Sequence, residues 1–169
     1  MSTRSQQRLG ASSLVLLGIA FIVAVSISNQ VFRGWKIDLT ENNLYTLSDG
    51  TRNLLAGIEE PINLYFSYSD QATASMPSLR SYADRVREML EEFEDAAAGK
   101  IRLSVIDPLP FSEDEDRAAQ FGLQGVQLGV SPDPVYLGLA GTDSLDNEEI
   151  IAFFQPDKEA FLEYDIAKL

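Results

Sequence analysis

The spacing of apolar and polar positions changes character twice along the chain. Residues 9–32 form 24 positions without a charge, bracketed by Arg8 and Arg33. Within them residues 14–23 are apolar on every face of a helix, where a soluble amphipathic helix would keep a polar side. Coiled at ~1.5 Å per residue, the stretch reaches about 36 Å, enough to cross a hydrocarbon core. The pattern predicts a transmembrane helix over 9–32 behind a short cytoplasmic N-terminus, 1–8. One alternative is a cleaved signal peptide ending near Ser26-Ile27-Ser28, but such a segment has an apolar region of only about 7–15 residues. The other is a buried core helix, against which stands a run that nothing polar interrupts.

Beyond Arg33 the hydrophobic residues become periodic. Residues 33–60 read as a juxtamembrane connector. Trp35 and Tyr45 in it either anchor at the interface or pack on the domain, and a short helix is capped by Ser48 and ended by Gly57 and Pro61. Ile62-Asn63-Leu64-Tyr65-Phe66-Ser67-Tyr68 is aromatic-rich and partly alternating, a strand. After the polar loop 69–76, Leu79, Tyr82, Ala83, Val86, Met89, Leu90, Phe93 and Ala97 fall on one helical face, opened by Pro77 and stopped by Gly99. Residues 101–106 are a second strand ended by Asp107-Pro108. Ser112 and Glu115 make a capping box for a helix with Ala118, Ala119 and Phe121 inward. Residues 135–140 and 149–154 read as a hairpin across a Gly/Asp/Asn-rich turn. A last helix runs from Pro156 to Lys168 with Phe161, Leu162 and Ile166 as its apolar face.

The succession over 61–169 is β-α-β-α-β-β-α, an α/β class pattern that resembles the thioredoxin-like fold. The stretch Gln120-Phe121-Gly122-Leu123-Gln124-Gly125-Val126 is similar to the thioredoxin segment leading to the third core strand. The redox motif is absent: no Cys-x-x-Cys follows the first strand, and Gln127 stands where thioredoxins carry a cis-proline.

Composition narrows the chemistry. The 13 Lys+Arg face 26 Asp+Glu, a formal net charge of -13. Every acid lies at or beyond Asp38, so the domain is the negative part, and it repels phosphate backbones and anionic lipid heads. No nucleic-acid partner is expected. With neither cysteine nor histidine, the chain alone builds no disulfide, thiolate nucleophile, Cys/His zinc site or Ser-His relay. The run Glu113-Asp114-Glu115-Asp116 reads as a helix first turn complementing the dipole rather than a cation site. The turn Asp143-Ser144-Leu145-Asp146-Asn147-Glu148-Glu149 lacks calcium-loop spacing and reads as a solvated hairpin. Asp107 ends a parallel strand, the edge where α/β sheets hold ligands; its prolines also read as a rigid strand exit. The expectation is a non-enzyme without catalytic, cofactor or metal residues. The positive-inside signal is nearly balanced between Arg4 and Arg8 on one side and Arg33 and Lys36 on the other; the cysteine-free domain favours the outside.

Ile37-Asp38-Leu39-Thr40-Glu41-Asn42-Asn43-Leu44-Tyr45-Thr46-Leu47-Ser48 resembles the segment after the first membrane helix of GldG-like proteins, auxiliary components of gliding-motility-type ABC transport systems. Ile106-Asp107-Pro108, Gly122-Leu123-Gln124-Gly125-Val126, Phe153-Phe154-Gln155-Pro156 and Phe161-Leu162-Glu163-Tyr164-Asp165 are similar too. The resemblance covers 33–169. It implies a single-pass anchor in the bacterial inner membrane, a main domain outside the cytoplasm, and permease and ATPase partners. Family members are longer, so this chain is expected to be an N-terminal portion. The expected function is a non-enzymatic auxiliary subunit that engages partners or cargo. The alternatives are a cysteine-free thioredoxin-like solute-binding or enzyme-like domain, and a structural spacer for a missing downstream domain.

Overall fold

The computed structural model describes Phe21 and residues 47–128, 133–145 and 147–169. The expected N-terminus 1–8, the membrane helix 9–32 apart from Phe21, and the connector up to residue 46 lie outside the described residues. Among the described residues no helix is long and apolar enough to cross a membrane. All the elements named below belong to the unit Asp38–Leu169.

The chain runs through α1 (Asp49–Ala56), β1 (Ile62–Tyr68), α2 (Pro77–Ala96), β2 (Ile101–Ile106), α3 (Glu113–Gln120), β3 (Leu137–Thr142), β4 (Glu148–Ile151), a 3-10 helix (Pro156–Phe161) and α4 (Leu162–Ala167). It is an α/β domain built on a four-stranded mixed sheet of order β2-β1-β3-β4. β1 pairs with β2 in parallel and with β3 antiparallel, and β4 returns antiparallel to β3. β3 alone therefore runs against the other three.

The pleat decides which side of each strand meets which layer. Leu64, Phe66 and Tyr68 of β1 share a face with Leu137 and Leu139 of β3, since Tyr68 pairs with Leu137 and Phe66 with Leu139. Those side chains join the buried stripe of α2, together with Leu55 of α1 and Leu162 and Ile166 of α4, in one core. Leu47 and Leu55, on the connector side of the boundary expected at residue 61, belong to this same core. The opposite face is covered differently. Among the described residues the eight-residue α3 is placed there, burying Ala118 with Leu123 and Tyr136, and Phe121 stacks on Tyr65 with ring centroids 5.0 Å apart.

Local chemistry sets the ends of the helices. The Ser48 hydroxyl accepts the Thr51 N–H at 3.3 Å and opens α1. Pro77 sits in the first turn of α2, where a missing N–H costs nothing. Past Ala97 the backbone turns left-handed at Ala98 and Gly99 (φ 50° and 85°), and Gly99 bears that conformation without strain. Ser112 caps α3 by accepting the Glu115 N–H. The return bond of the expected capping box goes elsewhere: Glu115 accepts the N–H of Phe111 at 2.7 Å, one residue before the cap.

Four expectations are corrected in detail. The third strand begins at Leu137 rather than 135, because Val135 pairs with Val126 in an isolated bridge before the chain meets β1. The fourth strand ends at Ile151; beyond it the Phe154 N–H bonds the Leu137 carbonyl at 2.7 Å. The last helix is two pieces, since Lys158 leaves helical geometry inside the 3-10 segment; that offset turns Phe161 outward, 62% exposed. Ala119 also faces solvent, one position off the single buried residue of α3, Ala118.

Candidate functional site

The carboxyl ends of β1 and β2 lie side by side because the two strands are parallel. There the chain leaves β1 through Ser69 and Asp70 and leaves β2 through Asp107 and Pro108. The loop after β1 is held from within. Buried Thr73 donates its hydroxyl to the Ser69 carbonyl at 2.8 Å, and its oxygen lies 2.6 Å from the Tyr68 hydroxyl. Burial is the largest influence on Tyr68 and pushes its phenol up from the ordinary value, so it stays a neutral partner in this network.

Ser69 joins three strand ends. Its hydroxyl accepts the Tyr136 N–H at 3.0 Å and donates, at a long 3.5 Å, to the Pro108 carbonyl, while its own N–H bonds the Tyr136 carbonyl. Asp70 adds a second tie, donating its N–H to Asp107 Oδ1 at 3.2 Å and pairing its carboxylate with Arg80 at 2.9 Å. The Asp107 carboxyl is pushed up from the ordinary carboxylate value. Partial burial is the main cause, and the nearby Asp70 and Asp114 charges add to it against the single N–H from Asp70.

Between these loops lies a cavity of about 360 Å³, lined among others by Gln71, Ser75, Asp107, Pro108, Pro110 and Pro134. Its volume falls in the range of small-ligand pockets. Its position is the one where open α/β sheets hold ligands. A smaller apolar cavity of about 190 Å³ lies at the other end of β1, between Leu55, Ile62, Ile101 and Ile166. Its walls are mostly apolar, although Thr142, Asp143, Asn147 and Glu149 also line it.

The candidate site residues singled out in the sequence that fall on described residues each have a place. Asp107 is at the cavity wall. Gln127 is exposed and does not lead into β3; Pro134 and Val135 do, and Pro134 lines the cavity. Asp114 of the acidic run pairs with Arg117, and Glu115 is committed to Phe111. In the hairpin turn, Asp143 spends its oxygens on the N–H groups of Leu145 and Asn147 and on the Asn147 side chain. Those bonds, the side-chain amide first, hold its carboxyl below the ordinary value. Among the described residues no group of three or more acidic side chains is arranged to hold a metal ion.

Ser69, Asp70, Gln71 and Ser75 carry no mark in the sequence beyond lying in a polar loop, although the loop after the first parallel strand is where this architecture places ligand contacts.

Residues 41–142 match the family model described as Domain of unknown function (DUF7088), and the chain belongs to that family. The match ends on the last residue of β3, so it takes in the whole candidate site and leaves β4 and α4 outside. No curated protein and no solved structure matches the chain.

Proposed function

We propose that this protein is a non-enzymatic, membrane-anchored auxiliary subunit of an ABC-type transport system of the gliding-motility kind. In this reading residues 9–32 anchor the chain in the bacterial inner membrane. The α/β domain lies outside the cytoplasm and engages the permease, its ATPase or their cargo. The resemblance of residues 37–48 to GldG-like proteins supplies the system. The strand order β2-β1-β3-β4, with β3 alone reversed, supports the finer description of the domain as thioredoxin-like without its redox motif.

The observation that carries the non-enzymatic reading is the state of Ser69. It is buried at the cavity, and its hydroxyl accepts the Tyr136 N–H and donates to the Pro108 carbonyl, which joins strand ends. A serine nucleophile needs a base beside it to take its proton; the Ser69 proton is directed to a backbone carbonyl, and the residue serves as a structural tie instead. The test is affinity purification from native membranes in mild detergent. Permease and ATPase are expected in the eluate, and recovery of neither overturns the reading. Because the chain has no cysteine, single cysteines introduced at Ser5 and at Glu148 report sidedness directly. Labelling of Glu148→Cys, but not Ser5→Cys, by an impermeant maleimide on spheroplasts is the expected pattern.

The open cavity favours a second reading, in which the domain binds a small solute. Binding of a defined small ligand by the purified chain with no transporter component recovered would favour it.

A further inference from the structure

We propose that the cavity at the carboxyl ends of β1 and β2 docks an extended peptide segment, which sets a lysine or arginine side chain against Asp107 and an apolar neighbour along Leu109 and Phe111. The inference goes beyond the transporter reading and stands whether or not the partner is a transporter.

The first observation is the condition of Asp107. One of its oxygens accepts the Asp70 N–H, and no lysine or arginine among the described residues pairs with it. Arg80 is already engaged by Asp70 at 2.9 Å. A partly buried carboxylate beside other negative charges is disfavoured until a cation arrives, and its raised pKa records that cost. Three of the wall residues, Pro108, Pro110 and Pro134, have no N–H to donate. They also hold the loop in a narrow range of conformations, so little order is lost on binding.

The second observation concerns Phe111. Its ring is fully exposed and its backbone sits at φ +63°, a left-handed conformation that is strained for an L-residue. The loop is held there by the 2.7 Å bond from the Phe111 N–H to Glu115. Strain of this kind, spent on presenting a large ring to solvent directly after cavity-lining Pro110, points to a surface built for contact. Leu109, which itself lines the cavity, is exposed as well. An occupant that satisfies both features carries a cation for Asp107 and an apolar group for Leu109 on the same wall, which a short peptide supplies and a simple inorganic cation does not. Charge agrees: all 26 acidic residues lie at or beyond Asp38, and such a field draws cationic segments toward the domain.

The test uses the full chain in mild detergent and fluorescence polarisation with a labelled hexapeptide, Ala-Leu-Lys-Leu-Ala-Gly. A counterpart carrying norleucine for lysine and the free diamine cadaverine serve as comparisons. Saturable binding of the lysine peptide is expected, with at least tenfold weaker binding of the norleucine peptide. Asp107→Asn should weaken the lysine peptide at least tenfold, and Phe111→Ser severalfold, with melting temperatures near that of the parent. Ala74→Trp, at an exposed position on the cavity wall, should block binding, and it carries the test if Asp107→Asn does not fold. Equal binding of the two peptides, or no effect of either cavity variant, overturns the proposal. Cadaverine binding as tightly as the peptide, with Phe111→Ser silent, overturns the peptide occupant in favour of a free organic cation. Recovery of permease and ATPase is scored separately, so failure of one idea is not failure of the other.

Discussion

The carboxylate of Glu163, on the last helix, accepts the backbone N–H of Ser48 at 2.8 Å, across 115 positions of sequence. Ser48 is also the N-cap of α1, so one acid of α4 orders the start of the first helix of the domain. Burial is the largest single influence on Glu163 and pushes its carboxyl up. The hydrogen bonds from the Thr51 and Ser48 side chains and the Ser48 N–H together outweigh it, and the carboxyl ends below its ordinary value of 4.5.

Glu163→Gln is therefore expected to lower stability at neutral pH by about 1 kcal/mol, an estimate reduced for the side chain's partial exposure. Because the folded pKa is depressed, the carboxylate's contribution is present above the unfolded value and is lost as pH falls through the folded one. Urea melts at pH 7 and pH 3 check this: the gap between parent and variant should be smaller at the lower pH.

Ser67 predicts the opposite sign. Its hydroxyl is fully buried on the α3 side of the sheet and has no hydrogen-bond partner among the described residues. Removing a buried unsatisfied hydroxyl relieves a desolvation cost, so Ser67→Ala should be neutral or stabilising by about 1 kcal/mol. A thermal or urea melt that shows clear destabilisation would reveal a partner for this group.

Two glycines separate space from backbone strain. A Cβ on Gly138 would lie 2.9 Å from the carbonyl oxygens of both Ile151 and Ala152, which cannot move without disturbing the β3–β4 pairing. Gly138→Ala should cost roughly 1–3 kcal/mol through overpacking. A Cβ on Gly99 meets nothing within 4 Å, but the residue sits at φ +85°. Gly99→Ala should cost about 1–2 kcal/mol through conformation alone. The corresponding substitution by asparagine, which tolerates the left-handed region, should restore part of the stability at position 99 and none at position 138.

β2 is an edge strand, and unpaired N–H groups on such edges invite pairing with other chains. Here Glu94 of α2 reaches over and accepts the Leu103 N–H at 2.9 Å. Glu94→Ala frees that donor beside half-exposed Val105. Light scattering at rising concentration should show more self-association in the variant than in the parent.

Much of the architecture was legible from local pattern. All eight apolar positions assigned to the face of α2 are buried, because a 20-residue helix with one packed side must repeat its hydrophobic residues at helical spacing. The strands at residues 62–68 and 101–106 were bounded correctly for similar reasons, each closed by a turn or proline signal. Short elements were harder to read. α3 and α4 have eight and six residues, too few for periodicity to choose among faces. Ala119 and Phe161 were accordingly placed inward, and both are exposed.

The candidate site was legible at one residue. Asp107 stood out because it ends a strand. Ser69 and Pro134 carried no comparable mark, and their roles arise from strand order: β1 lies between β2 and β3, which brings residues 69, 107–108 and 134–136 to one edge.

Sequence by itself determined the acidic surface, the absence of thiol and imidazole chemistry, and the position and type of the longer elements, since these depend on residue identity and on spacing within one element. Only the tertiary structure decided that Ser69 is spent on joining strand ends and that Asp107 meets no cation among the described residues. It alone decided, too, that Phe111 stands exposed above a left-handed turn. Those properties depend on distances between groups tens of residues apart, and such distances exist only once the sheet has assembled.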